Sequence, residues 1–357
     1  MLGKRDIRSM LPQEIEAGLL EMGEKSFRAK QIFQWLTRGV TSFDEMTNLS
    51  HDLREKLGSR FFITVPRLVE KQVSKDGTIK YLWAMADDHT VETVVMEYCH
   101  GNTVCISTQV GCRMGCRFCA SAIGGLVRNL EPSELLCQVL FSQLESKKVI
   151  SNIVLMGIGE PLDNLESVLR FLELVNHPDG MHIGMRHITI STCGLTESID
   201  KLGEYNLQLT LSVSLHAPDD ALRDQLMPTN RRQGIDLLLE ACKRYRDKTG
   251  RRVSFEYAMI QGVNDRPEHA NRLAERMLEL GGHVNLIPLN PVAQRELSPS
   301  GKEALNIFEQ ILRRRGVSVT VRRQLGGDID ASCGQLRRGR ERARERRGND
   351  DRLWTDG

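Results

Sequence analysis

The 357-residue sequence predicts an α/β fold: an open or partial βα-barrel, with a small helical region before it and a short β-hairpin extension between the two. Three observations carry that expectation. From about residue 100, short β-branched apolar runs alternate with helical stretches. Most of those runs end in polar or glycine-rich residues, "GIGEP", "STCG", "SLHAPDD" and "NPV". A βα-barrel keeps its chemistry at such strand ends. Before residue 60 the apolar spacing is three and four rather than two, which is helical. A doubly wound sheet also places its site at strand ends, so spacing alone does not separate it from a barrel.

Taken in order, residues 1–60 read as an N-terminal helical domain. "PQEIEAGLLEMG", "KSFRAKQIFQWLTRG" and "HDLREKL" are its helices, and Gly23 and Gly39 are placed to end the first two. Residues 61–98 alternate in β-branched residues around an Asp76-Gly77 turn, which predicts hairpins. Residues 99–337 hold the barrel, with strands "TVCIST", "NIVLMG", "HITIST", "LTLSVSL", "VSFEYAMI" and "VNLIPL", and "VSVTVRR" as a further strand. Several are apolar nearly throughout, as parallel strands covered on both faces should be. Between them, "PSELLCQVLFSQLESKK" starts with Pro132 in its first turn, and Leu135, Leu136, Val139 and Leu140 form one face. "RPEHANRLAERMLELGG" is closed by Gly281-Gly282.

Net charge is +2, so the overall balance points to no partner, but seven arginines crowd residues 337–347. Residues 338–357 read as a basic, solvated tail drawn to polyanions. No apolar run reaches the ~18 residues a membrane span requires. The first twenty residues lack a signal-peptide core. A cytoplasmic location is therefore expected. There, nine cysteines argue for metal binding or catalysis rather than a disulfide framework.

The cysteines concentrate in "GCRMGCRFCAS", where Cys112, Cys116 and Cys119 follow a strand and precede the helix near 131. A structural zinc site wants four closed ligands, and a fourth would have to come from afar. Packing does not call for three clustered loop thiols. An iron–sulfur cluster is normally held by four thiolates, so three would leave one iron open. An open position marks a metal site that does chemistry.

Cys-x3-Cys-x2-Cys with Phe118 before the last cysteine resembles the signature of radical S-adenosylmethionine (SAM) enzymes. "CISTQVGCRMGCRFCASAIGGLVRNL", "MGIGEPLDN", "SLHAPDD", "VNLIPLNP" and "DIDASCGQLR" together resemble the RlmN/Cfr family, in order and over nearly the whole chain to Arg337. The Arg-rich tail matches nothing in the family pattern. The resemblance implies a partial (βα)6 radical-SAM barrel, one 4Fe-4S cluster on Cys112, Cys116 and Cys119, and SAM on the open iron. It assigns Gly159, Glu160, Ser191, Ser214, Leu215, His216 and Asn290 to SAM. Read alone, Gly157 and Gly159 would let backbone approach a ligand, and the Glu160 carboxylate suits an amino group.

The implied activity is methylation of adenine in 23S ribosomal RNA and in transfer RNA, with two SAM per turnover. Adenine C2 is not a nucleophile, whereas a thiolate is. Cys333 would accept a methyl group and a second SAM would supply the radical. Cys105 would resolve the RNA adduct through a transient disulfide, and Glu92 would take the ring proton. Without the family, Cys105 reads as a buried strand cysteine, Cys333 as an inert small hydrophobe and Glu92 as a solvent-facing strand residue. Cys99, Cys137, Cys193 and Cys242 carry no family role and read as structural, Cys193 least securely because it lies beside Ser191. The wording of the motifs is nearer the C2 branch than the C8 branch of the family. A non-catalytic, zinc-stabilised RNA-binding protein is the reading from another class. An electron donor such as flavodoxin or ferredoxin is implied, and the sequence is silent on oligomeric state.

Overall fold

The computed structural model describes residues 3–292, 295–329, 334, 336 and 337. Cys333 and the basic tail, 338–357, lie outside the described residues.

Three helices, α1 (Pro12–Glu21), α2 (Arg28–Thr37) and α3 (His51–Arg60), open the chain. A two-residue parallel pairing of Arg5–Asp6 with Phe61–Phe62 ties their ends together. Arg8, 1% exposed, locks this region to the rest of the molecule. Its guanidinium donates to the Val40 carbonyl at 2.5 Å, reaches Cys137 Sγ at 3.5 Å and bonds the Thr64 carbonyl.

Ten strands then form one sheet: β1 (Arg67–Val73), β2 (Ile79–Ala84), β3 (Thr90–Tyr98), β4 (Gly101–Cys105), β5 (Ile150–Leu155), β6 (Ile188–Thr192), β7 (Thr210–Ser214), β8 (Ser254–Met259), β9 (His283–Pro288) and β10 (Ser318–Val321). Their spatial order is their sequence order. β1 to β4 are antiparallel neighbours, and β4 to β10 are parallel. The six expected barrel strands all form, and the "VSVTV" run adds a seventh. The sheet is open, since β1 and β10 are its edges. The hairpin extension is thus continuous with the barrel sheet.

Helices α4 (Pro132–Ser146), α5 (Leu165–Asn176), α6 (Thr196–Glu204), α7 (Asp220–Leu226), α8 (Gly234–Thr249), α9 (Pro267–Leu280) and α10 (Lys302–Arg314) make the crossovers. Alternation splits the parallel strands into two faces. Val104, Ile153, Ile190, Leu211, Val213, Phe255, Tyr257, Val284 and Leu286 are buried in the main core. Tyr257 stacks on Phe308 of α10, which marks that face as the one under the helices. The other face is polar. Register runs from Val94 to Cys105 to Val154, from Ser191 to Ser212, and from Ser214 to Glu256 to Asn285. Glu92, two residues from Val94, shares that face. The polar face therefore gathers Glu92, Cys105, Ser191, Ser212, Ser214, Glu256 and Asn285.

Candidate active site

The cysteine loop is closed at its base by a two-stranded ribbon, in which Gln109 pairs with Asn129, Val110 with Arg128 and Gly111 with Leu126. Gly111 has φ +82°, and a Cβ there would stand 2.0 Å from the Gly125 carbonyl oxygen. Only glycine fits that left-handed, contact-tight position. Cys112 N donates to that same carbonyl at 2.9 Å, and Arg117 N, farther round, to the Leu226 carbonyl at 2.9 Å. The loop is thereby pinned between the ribbon and α7. Beneath it lies a second small apolar core of Cys193, Ala217, Leu222, Leu226, Met227, Ala258, Ile260 and Leu289, against which Met114, Cys116 and Phe118 pack.

That setting governs the thiols. Burial, with the Cys119, Glu160 and Asp163 charges nearby, pushes Cys112 up to about 12. Burial pushes Cys116 higher still, helped by Cys119, Cys112 and Glu160. As thiolates, three sulfurs here are stable only with strong positive charge among them. Two buried hydroxyls, Thr108 Oγ1 before the ribbon and Ser121 Oγ after Cys119, have no hydrogen-bond partner among the described residues, and a sulfur-rich group would give them acceptors. No three His, Cys, Asp or Glu side chains among the described residues converge on a single ion. A tetrahedral zinc would hold its sulfurs about 3.8 Å apart. Three thiols in one loop can each take one iron of a cluster and leave the fourth iron open.

The expected SAM motifs meet at the same strand ends. At Gly159 φ is +111°, and a Cβ would lie 2.8 Å from Gln109 N and 2.7 Å from its Cβ. At Gly157 it would lie 2.6 Å from the Ile106 carbonyl oxygen. In this structure these glycines make room for the chain leading out of β4. The approach lets Gln109 Oε1 accept from Glu160 N at 2.9 Å. The Glu160 carboxylate is buried, takes Leu162 N on Oε1 at 3.0 Å and Cys193 N on Oε2 at 2.7 Å, and is pushed upward by its burial. Cys193, read as structural, donates its backbone N–H to that carboxylate.

"SLH" forms a tight turn around Arg223, a residue that sequence reasoning missed. Arg223 is fully buried, and burial lowers its affinity for its proton. It donates to the Leu215 carbonyl at 3.2 Å, the Ser214 carbonyl at 3.2 Å, the Cys193 carbonyl at 2.7 Å and Asn230 Oδ1 at 2.6 Å. His216 accepts from Ala258 N on Nδ1 at 2.9 Å, which leaves the proton on Nε2. Burial, then the Arg223 charge, lowers His216 to about 3, so it is neutral at pH 7. Its ring meets Phe118 edge-on, centroids 4.7 Å apart, so the aromatic before Cys119 is the contact between the two motifs. Ser191 is half-buried on the polar face, one strand from Ser212. Asn290 follows β9 at the same end but is exposed, and its Oδ1 accepts from Gln324 Nε2 at 3.0 Å.

Glu92 is 3% exposed, not solvent-facing as the alternation of its strand suggests, because Val91 to Val95 are covered on both faces. Lys80, fully buried on β2, pairs with its Oε2 at 2.9 Å. The same oxygen accepts from Gly334 N at 2.6 Å, and Oε1 from Arg337 N at 2.7 Å. A Cβ on Gly334 would be 2.9 Å from Ser121 N. Glu92 thus fastens the backbone on either side of a C-terminal turn, and that turn presses on the segment just past Cys119. Cys105 is buried at the end of β4, on the Glu92 face. Cys137 and Cys242 are buried and Cys99 is exposed.

Residues 106–274 match the model of the Radical SAM superfamily, and residues 6–63 that of the ribosomal RNA large subunit methyltransferase N-terminal domain. Fold and site define a radical SAM enzyme. A "Probable dual-specificity RNA methyltransferase RlmN" of Desulforamulus reducens is 52% identical over 337 residues, 94% of this chain and 96% of that one. Its namesake in Bacillus subtilis is 50% identical over 328 residues, 91% and 90% of the two chains. The crystal structure of a radical SAM methyltransferase from Sphaerobacter thermophilus superposes with a TM-score of 0.89 at 44% identity, covering 93% of this chain and 98% of that one. The chain belongs to the RlmN family of radical SAM RNA methyltransferases. A 4Fe-4S cluster and SAM are the cofactors of the superfamily, and the thiols, bare hydroxyls and carboxylate described above fit them.

Proposed function

We propose that this enzyme methylates C2 of adenosine in 23S ribosomal RNA and in transfer RNA. The observation that carries the reading is the meeting, at one end of one sheet face, of the three-cysteine loop, Glu160, the "SLH" turn and the Glu92-held C-terminal turn.

When bound, the cluster and SAM supply a methyl group and a carbon radical. The rest falls to this chain's residues. Cys112, Cys116 and Cys119 hold the cluster. The Glu160 carboxylate accepts from SAM's amino group. Gly159, Ser191, Ser214, Leu215, His216 and Asn290 complete the SAM site, with neutral His216 offering Nε2–H as a donor. Cys333 carries the methyl group, and its neighbour Gly334 lies against the cluster loop. Glu92 accepts the adenine C2 proton on its carboxylate, and that neutralisation weakens its hold on Gly334 and Lys80. Cys105 gives up its thiol proton and attacks the Cys333 sulfur; the carbon–sulfur bond breaks with its electron pair going to the methylene carbon, which takes a proton to become the methyl group on the base, and a Cys105–Cys333 disulfide is left behind.

We divide the chain into an RNA-recognition domain (1–60), a hairpin extension (61–98), the barrel with its catalytic loop (99–337) and the basic tail (338–357). A flavodoxin or ferredoxin delivers the electron, in the cytoplasm. No helix among the described residues is long and apolar enough to cross a membrane. Nucleoside mass spectrometry after incubation with ribosomal or transfer RNA, SAM and reductant tests the reading. It predicts 2-methyladenosine in both RNAs. 8-Methyladenosine would move the chemistry to the other ring carbon, and a colourless protein with one zinc and no product would leave only RNA binding.

A further inference from the structure

The polar face carries a second buried carboxylate that the scheme above does not use. Glu256, on β8, is 3% exposed and level in register with Ser214 on β7 and Asn285 on β9. One of its oxygens is crowded. Oε1 accepts from Ser212 Oγ at 2.6 Å, Asn285 Nδ2 at 2.9 Å and Arg322 Nη2 at 3.1 Å. The other, Oε2, is buried and has no hydrogen-bond partner among the described residues. A side chain fixed by three donors on one oxygen, with the second oxygen bare, is preorganised for a donor that arrives from outside the chain.

Position on the sheet says which donor. Glu92 and Cys105, the groups proposed to handle the RNA base, are on β3 and β4, four and more strands from β8. The residues proposed for SAM lie on or just past strands β5, β6, β7 and β9, the same run of parallel strands that includes β8. Glu160 follows β5, Ser191 is on β6, the "SLH" turn follows β7 and Asn290 follows β9. If Glu160 takes the methionine amino group at one end, the ribose spans the strands between it and the nucleobase at the far end. That stretch is β7 and β8, where the sheet already presents hydroxyls and this one open acceptor.

We propose that Glu256 Oε2 accepts a hydrogen bond from a ribose hydroxyl of SAM. The assignment rests on the SAM site proposed above. A hydroxyl donating to a carboxylate makes a short, charge-assisted bond, roughly twice as strong as a neutral one.

The test is anaerobic equilibrium dialysis of the cluster-loaded, full-length chain with SAM, 2'-deoxy-SAM and 3'-deoxy-SAM. No RNA is present, so any discrimination comes from the SAM hydroxyls. The wild-type chain should bind one deoxy analogue roughly tenfold or more weakly than SAM. Glu256→Ala should weaken SAM by a similar factor and bind that analogue no worse than SAM. If Glu256→Ala does not retain its cluster, Glu256→Gln is read instead, with discrimination at least severalfold smaller than wild type. A wild-type chain that binds both analogues as tightly as SAM overturns the assignment whatever the variants do. So does a folded variant with undiminished discrimination. A wild-type chain that binds no SAM at all overturns instead the cofactor site beneath it.

Discussion

Replacing Lys80 by Met is the perturbation with the clearest magnitude. Lys80 is fully buried and Glu92 3% exposed, 2.9 Å apart, so solvent screening offers no discount. Breaking a buried pair by removing one partner costs about 3–5 kcal/mol, because the other charge is left uncompensated. Glu92 keeps the Gly334 and Arg337 backbone donors at 2.6 and 2.7 Å, so the lower end applies, about 3 kcal/mol. Urea unfolding followed by circular dichroism reads the loss. The double variant Lys80→Met/Glu92→Gln removes both charges and should recover at least half of it, a coupling of about 1.5 kcal/mol or more. Methyl transfer should fall sharply in the single variant, since the C-terminal turn loses the orientation of its anchor. A Lys80→Met protein within about 0.5 kcal/mol of wild type, or strict additivity in the double variant, would refute the argument that this pair holds the turn.

Three further outcomes follow from the same geometry. Gly111→Ala puts a methyl group 2.0 Å from the Gly125 carbonyl oxygen and should open the ribbon under the cysteine loop; iron per chain after anaerobic reconstitution should fall by more than half, and full loading would contradict the ribbon's role. His216 is held near 3 by burial against an unfolded value near 6.5, so the unfolded chain binds the extra proton first. Its stabilising contribution is complete above pH 6.5 and is lost as pH falls toward 3, at up to about 1.4 kcal/mol per unit, and His216→Gln should flatten the drop in melting temperature between pH 7 and 5. Cys105→Ala should accumulate protein cross-linked to RNA on denaturing gels, whereas Cys333→Ala should give neither cross-link nor product; normal turnover by Cys333→Ala would end the two-step scheme.

The strands were legible because parallel strands covered on both faces leave unbroken apolar runs, and most are followed by a polar strand end; their order was not, because a doubly wound sheet has the same spacing. The cysteine loop was legible from spacing alone. Glu92 was not, because "TVETVV" has the same alternation whether its polar side faces water or a barrel interior, and only the sheet that continues from β4 through β3 to β1 decides which. Arg223 was hidden for a related reason. It lies on a short helix of mixed composition, and its function is to satisfy carbonyls from three separate segments. Those carbonyls come together only after folding. The close packing of Gly159 on the chain leading out of β4 was not legible either, because Thr108 and Gln109 meet it only in the folded sheet. Glu256 is the one charged residue of "VSFEYAMI", and nothing in that string sets its two oxygens apart; its three donors do so only in the folded sheet.

The most direct test of the central claim, that three cysteines hold a cluster and leave one iron for SAM, is Mössbauer spectroscopy of anaerobically purified, iron-57-labelled protein with and without SAM. The account predicts about four irons per chain, with the signal of one changing when SAM is added. A cluster whose four irons are all indifferent to SAM, or a chain that holds one zinc and no iron, would contradict it.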